Sequence, residues 1–159
     1  MNVGNLFVLN QVSNSMTVID LSVDLVESNV KIDDEYGDPE SLLLYGSKVY
    51  ILSTKNSKIS IFNKYNNVVT KAIAVPANPI KAIRVDTKVY VLHRGNGVIS
   101  VIDASKEKLI DTIILSAPGD DFYLANNNLY IIQKDYNTVS VIDTSSIAIK
   151  KTVGAVIPV

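Results

Sequence analysis

Residues 88–103 read KVYVLHRGNGVISVID, and the chain writes this phrase four times. The other copies are NLFVLNQVSNSMTVID at 5–20, KVYILSTKNSKISIFN at 48–63 and NLYIIQKDYNTVSVID at 128–143. Measured at the closing residue, from Asp20 to Asn63 to Asp103 to Asp143, the spacing is 43, 40 and 40 residues. Apolar pattern, turn residues and the final Asp or Asn recur together. A unit of that length cannot bury both of its faces alone and must stack against its neighbours.

Each copy reads as strands. Leu6–Leu9, Val49–Leu52, Val89–Leu92 and Leu129–Ile132 are unbroken apolar or aromatic runs, as expected of strands covered on both faces. Hairpin turns are expected around Asn14-Ser15, Asn56-Ser57, Asn96-Gly97 and Tyr136-Asn137, because Asn and Gly accept the positive φ of tight turns. An alternating strand follows, with Val139 and Val141 on one face and Ser140 and Ile142 on the other. A third strand comes after the closing Asp or Asn, at 68–75, 109–115 and 147–153, with a weaker version near 26–32. A link containing Pro or Gly then leads to one more strand, at 41–44, 80–85 and 122–125. No helical period is sustained anywhere. The expected class is all-β: about four blades of four short antiparallel strands in one domain over 1–159, with repeats near 5–44, 45–85, 86–125 and 126–159.

VYVLHRGNGVISVIDASKEKLIDTI, 89–113, resembles the YVTN-type β-propeller repeat, whose consensus runs through a V-Y-V-T-N strand, a hairpin and V-S-V-I-D-T. The resemblance covers nearly the whole chain. Copies three and four are closest, copy two departs at Phe62-Asn63, and copy one has extra residues in its link. It implies a propeller fold, an extracytoplasmic or surface-associated setting, and a binding or scaffold role without known catalysis.

The first copy has no inner strand before it in this reading. That leaves a strand edge to cover. The expectation is a partial propeller completed by another copy or another polypeptide, for instance two four-blade halves in an eight-blade ring. A self-closed four-blade ring and a fragment of a longer chain are the other two readings.

Composition narrows the function classes. Apolar residues are 47% and charged residues 19%, a globular balance. The net charge is −1 with Lys and Arg scattered, so there is no basic stripe for a phosphate backbone and nucleic acid is not an expected partner. No apolar run reaches the roughly 18–20 residues of a membrane span, and no signal peptide is visible in MNVGNLFVLNQ. Without cysteine, thiolate sites and disulfides are excluded, and His93 is the lone histidine.

In a propeller the hairpin after the first run and the inter-blade link share one rim. The expected ligand or partner rim is therefore built from the strand ends Asn10, Ser53, His93 and Gln133, the hairpin residues Arg94 and Tyr136, and the link residues Asn78 and Asp120. The link DDEYGDPE, 33–40, concentrates carboxylates, and Asp33, Asp34 and Asp38 are the candidate ligands for a calcium ion; otherwise no cofactor is expected. The alternative reading is a solvated acidic loop. Tyr50, Tyr90 and Tyr130 read as packing residues with a bonded hydroxyl. Asp20, Asp103 and Asp143, with Asn63, read as turn-formers on the opposite rim, because Asn replaces Asp at one of the four places.

No nucleophile motif is present, so catalysis is not expected. The leading reading is a non-enzymatic binding or scaffold module. A metal-assisted hydrolase or lactonase, and a purely structural part of a larger surface assembly, are the alternatives.

Overall fold

A computed structural model describes residues 4–32 and 38–154. Fifteen strands form four antiparallel sheets among them. Blade 1 holds β1 (Asn5–Asn10), β2 (Ser15–Asp20) and β3 (Leu25–Lys31). Blade 2 holds β4 (Pro39–Tyr45), β5 (Lys48–Ser53), β6 (Lys58–Asn63) and β7 (Val68–Ala74). Blade 3 holds β8 (Pro79–Val85), β9 (Lys88–His93), β10 (Val98–Asp103) and β11 (Lys108–Ile114). Blade 4 holds β12 (Asp121–Ala125), β13 (Asn128–Gln133), β14 (Thr138–Asp143) and β15 (Ala148–Gly154). Every sheet is a meander whose strands pair in chain order, as the sequence leads one to expect.

Turn chemistry fixes the registers. Pairing of Tyr45 with Lys48, Val85 with Lys88 and Ala125 with Asn128 leaves two-residue loops. Gly46, Asp86, Asn126 and Asn127 take the positive φ these loops demand. In the longer hairpins the left-handed residue falls at one repeat position: Asn14, Ser57, Gly97 and Asn137. Each blade also carries a bulge between its last two strands, at Val18/Ile19, Ile61/Phe62, Val101/Ile102 and Val141/Ile142. A bulge adds local twist, which helps splay successive blades.

The core is three apolar layers, one in each gap between blades. Met16, Val18 and Ile32 meet Val49, Ile51 and Phe62 between blades 1 and 2. Tyr50, Leu52, Ile59 and Ile61 meet Val89, Val91 and Ile102 between blades 2 and 3. Tyr90, Leu92 and Ile99 meet Phe122, Leu129, Ile131 and Ile142 between blades 3 and 4. Alternate residues of β5 and β9 thus serve opposite gaps, which is why 49–52 and 89–92 are apolar or aromatic without interruption. Leu6 and Val8 of blade 1 and Tyr123 and Ile132 of blade 4 are exposed, so the blades form an open arc and not a self-closed ring.

Candidate functional site: the rim between blades 3 and 4

The four strand-end residues sit beneath the rim, each bonded or buried within its own blade. His93 is fully buried, with Nδ1 at 3.1 Å from the Ala77 carbonyl and Nε2 at 2.9 Å from Ser100 Oγ. A carbonyl can only accept, so Nδ1 carries the hydrogen and Nε2 accepts from Ser100. Burial holds the imidazole pKa below its ordinary value, which fits the neutral ring. Gln133, equally buried, donates to the Ala117 carbonyl at 2.6 Å and accepts from Ser140 at 3.0 Å and Thr138 at 2.9 Å. Asn10 donates to Thr17 at 2.8 Å. Ser53 is buried with an Oγ that has no hydrogen-bond partner.

Above them the structure brings Arg94, Asp120 and Tyr136 together. They line a cleft of about 350 Å³ between blades 3 and 4, with Ile80, Gly95, Pro118, Gly119 and Asp135. The link supplies one wall and two hairpins supply the others. Backbone bonds hold the walls: the Arg94 N–H donates to the Asn78 carbonyl at 2.9 Å, and the Lys134 N–H donates to Asp120 Oδ2 at 2.7 Å. Asn78 itself takes a φ of 57° and serves through its carbonyl, forming part of the link and not of the cleft lining. Arg94 Nη2 reaches Glu40 in β4 of blade 2 at 3.0 Å, so the guanidinium ties the hairpin of blade 3 to the neighbouring blade. One cation, two carboxylates and a 57% exposed tyrosine ring make a polar recognition surface with one aromatic contact face.

Asp33 and Asp34 lie outside the described residues. Asp38 is described: its carboxylate lies 3.6 Å from Lys55 Nζ and its carbonyl accepts from the Thr54 N–H at 3.2 Å. Among the described residues no group of three or more acidic or histidine side chains is placed to hold a metal.

The opposite rim carries the closing acids. Asp20 Oδ1 accepts from the Ser22 N–H at 2.7 Å, Asn63 Oδ1 from Tyr65 at 2.9 Å, Asp103 Oδ1 from Ser105 at 2.9 Å and Asp143 Oδ1 from Ser145 at 2.8 Å. All four form the same turn, and an uncharged amide does so as well as a carboxylate.

Asp135 and Gly119 are cleft residues that the sequence pattern does not mark as site candidates. Asp135 lies in a single 3-10 turn, Lys134–Tyr136, which takes the place of the Gly-containing hairpin of blade 3. Gly119 is needed because a Cβ there would lie 2.6 Å from Ile131 Cγ2 and 2.8 Å from Leu92 Cδ1. The departure of KDYN from the RGNG pattern was the available signal for the first.

Meander sheets stacked face to face, with links and hairpins gathered on one rim, define a β-propeller arc. No protein-family model and no curated protein sequence matches the chain. Among solved structures it is similar to hydrazine synthase of Kuenenia stuttgartiensis, at 22% identity and a TM-score of 0.82 over 95% of this chain and 46% of that one. It is similar also to AztD of Citrobacter koseri, at 12% identity and a TM-score of 0.73 over 95% and 43% of the two chains. A streptogramin B lyase matches at 12% identity and a TM-score of 0.77 over 95% and 51%. At these identities the likeness shows the propeller fold alone. The chain spans about half the length of these structures. Among its described residues no helix is long and apolar enough to cross a membrane.

Proposed function

We propose that this arc is a non-enzymatic binding or scaffold segment, completed through its end blades by further blades from another chain or another copy. Its rim between blades 3 and 4 would serve a protein or another surface ligand. The observation that carries the reading is the pair of open apolar sheet faces, bearing Leu6 and Val8 at one end and Tyr123 and Ile132 at the other. Apolar sheet faces at the ends of a stacked repeat need covering, because such a stack is stabilised by nearest-neighbour contacts. The half-length match to larger propellers supports the same reading. The YVTN-type resemblance adds an extracytoplasmic or surface setting.

Hydrogen exchange on the 159-residue chain at low micromolar concentration tests it. Amides of β1 and of β12 and β13 should exchange faster than those of β5 and β9, and slow when the faces are covered. Equal protection throughout a monomeric particle would overturn the reading.

A further inference from the structure

The two end faces are not merely apolar. They carry the two sides of the interface that the chain already builds three times between its own blades. Val49 and Ile51, Val89 and Val91, and Leu129 and Ile131 all face the preceding blade and are 0% exposed. Their counterparts in blade 1, Leu6 and Val8, are 47% and 38% exposed. On the other side, Leu52 and Leu92 face the following blade at 0% exposure, and their counterpart Ile132 in blade 4 is 39% exposed. Tyr123 stands where Leu43 and Ile83 pack into the inter-blade layers.

Polar contacts across the gaps repeat too. Tyr50 Oη donates to the carbonyl of Ala104 in the next blade at 3.3 Å, and Tyr90 Oη to that of Thr144 at 2.9 Å. Each acceptor directly follows the closing acid of its repeat. The next tyrosine in the series is Tyr130 of blade 4, and the residue after the closing acid of blade 1 is Leu21. An ion pair is added in one gap, between blades 2 and 3. Lys71 of blade 2 lies 3.9 Å from Glu107, which occupies the left-handed turn position of blade 3 at φ 51°. Lys71 corresponds to Lys151 in blade 4, and Glu107 corresponds to Asp24 in blade 1, itself at φ 55°. The open face of blade 4 therefore offers a tyrosine hydroxyl and a lysine. The open face of blade 1 offers the matching carbonyl and carboxylate.

We infer that the two faces bind each other between two copies of this chain, head to tail. Tyr130 donates to the Leu21 carbonyl of the second copy, and Lys151 pairs with its Asp24. Two such arcs present two equivalent junctions, so a pair of copies satisfies all four end faces in one closed particle. The inference rests on the open-face reading above and names the partner. The new junction repeats the apolar layer of all three inner gaps, the hydroxyl bond of two of them and the ion pair of one.

The test is native mass spectrometry and light scattering of the 159-residue chain. The expected mass is twice the 17.4 kDa of one chain. Val8→Glu and Ile132→Glu each alter an exposed position, so each variant should stay folded by circular dichroism and run as a monomer. Mixing the two should restore a dimer, since the mixture contains one undamaged junction. Asp24→Lys or Lys151→Glu alone should weaken the dimer by about tenfold, and the double variant should return to within about threefold of the parent. A dimer insensitive to all of these overturns the head-to-tail junction. A monomer that binds a hydrophobic dye and exchanges β1 and β13 amides rapidly overturns the second-copy assignment while the open-face reading stands. A monomer that binds no dye and protects those strands overturns both.

Discussion

His93 and Gln133, one repeat apart, make the same clasp. Each sends a nitrogen–hydrogen bond to the carbonyl of an alanine in the preceding link, Ala77 at 3.1 Å and Ala117 at 2.6 Å, and each accepts a bond from a serine of the next strand, Ser100 or Ser140. An imidazole and a carboxamide share no acid–base chemistry. What they share is one donor and one acceptor at a similar reach. The position therefore asks for tethering of the link beneath the rim.

His93→Gln should accordingly keep the fold at pH 8, at a cost within about 1 kcal/mol, because the clasp survives. The variant should also change the acid response. Burial lowers the folded-state pKa of His93 below its ordinary 6.5. The unfolded chain then takes up the proton first, so stability is full above pH 6.5 and falls as pH drops toward the folded-state value. Urea unfolding from pH 8 to 5 should show this loss in the parent and not in His93→Gln. An unchanged slope would mean that the histidine is not the group responsible.

Gly119→Ala tests the floor of the cleft. Its Cβ would press on Ile131 and Leu92, both side chains of the packed layer between blades 3 and 4. A loss of about 1–3 kcal/mol is expected in urea melts. Gly154→Ala, where nothing lies within 4 Å of the added carbon, should stay within about 0.5 kcal/mol. Similar effects at both positions would contradict the close approach.

Much of this was legible in the four-fold phrase. Strands, hairpins, links and the order of pairing all follow from features read locally: apolar runs, left-handed turn residues and the recurring acid. The common rim was also legible, since Arg94, Asp120 and Tyr136 do meet there. The depth of the strand ends was not. Asn10, Ser53, His93 and Gln133 look like exposed polar termini in a string of letters, and only the links folding over them show that their partners are main-chain carbonyls and strand hydroxyls. The bulges were invisible as well. Each is one extra residue in the last strand of its blade, Glu27, Thr70, Ile110 or Lys150, and these share no residue type. The fitness of Tyr130 and Lys151 for Leu21 and Asp24 appears only once Tyr50, Tyr90 and Lys71 are seen reaching into the next blade.

Tyr90→Phe isolates the inter-blade hydroxyl bond. Burial is the first cause that pushes this phenol up to about 12, so it stays a donor at any working pH. Removing the oxygen forfeits its bond to Thr144 and leaves the ring packing intact, with an expected cost of about 1 kcal/mol in urea melts. Tyr50→Phe should cost less, given its longer 3.3 Å bond. Blade 1 already has a phenylalanine at this place: Phe7 packs edge-on against Phe62 with ring centres 6.1 Å apart. A Tyr90→Phe protein as stable as the parent would show that ring packing alone sets this junction.

Asp143 closes its repeat with a carboxylate that accepts from Ser145 and Ser146 and lies 3.0 Å from Lys150 Nζ. The bond from Lys150, followed by the backbone bonds, holds its pKa below the ordinary 3.8. Asp103 is held lower still, chiefly by the Ser105 hydroxyl. A carboxyl depressed in the folded state is ionised there while the unfolded chain is already taking up protons. Its contribution is therefore complete above about pH 4 and is lost as pH falls through the folded-state value. Asp143→Asn keeps the turn, as Asn63 does in blade 2, and loses only the charge that faces Lys150. At pH 7 it should melt close to the parent, while Asp143→Ala, which removes the acceptor, should melt a few degrees lower. Below pH 4 the parent should converge on the Asn variant. If Asn and Ala proved equally damaging at pH 7, the charge would be the essential feature, and the carboxylate would need a role beyond forming the turn.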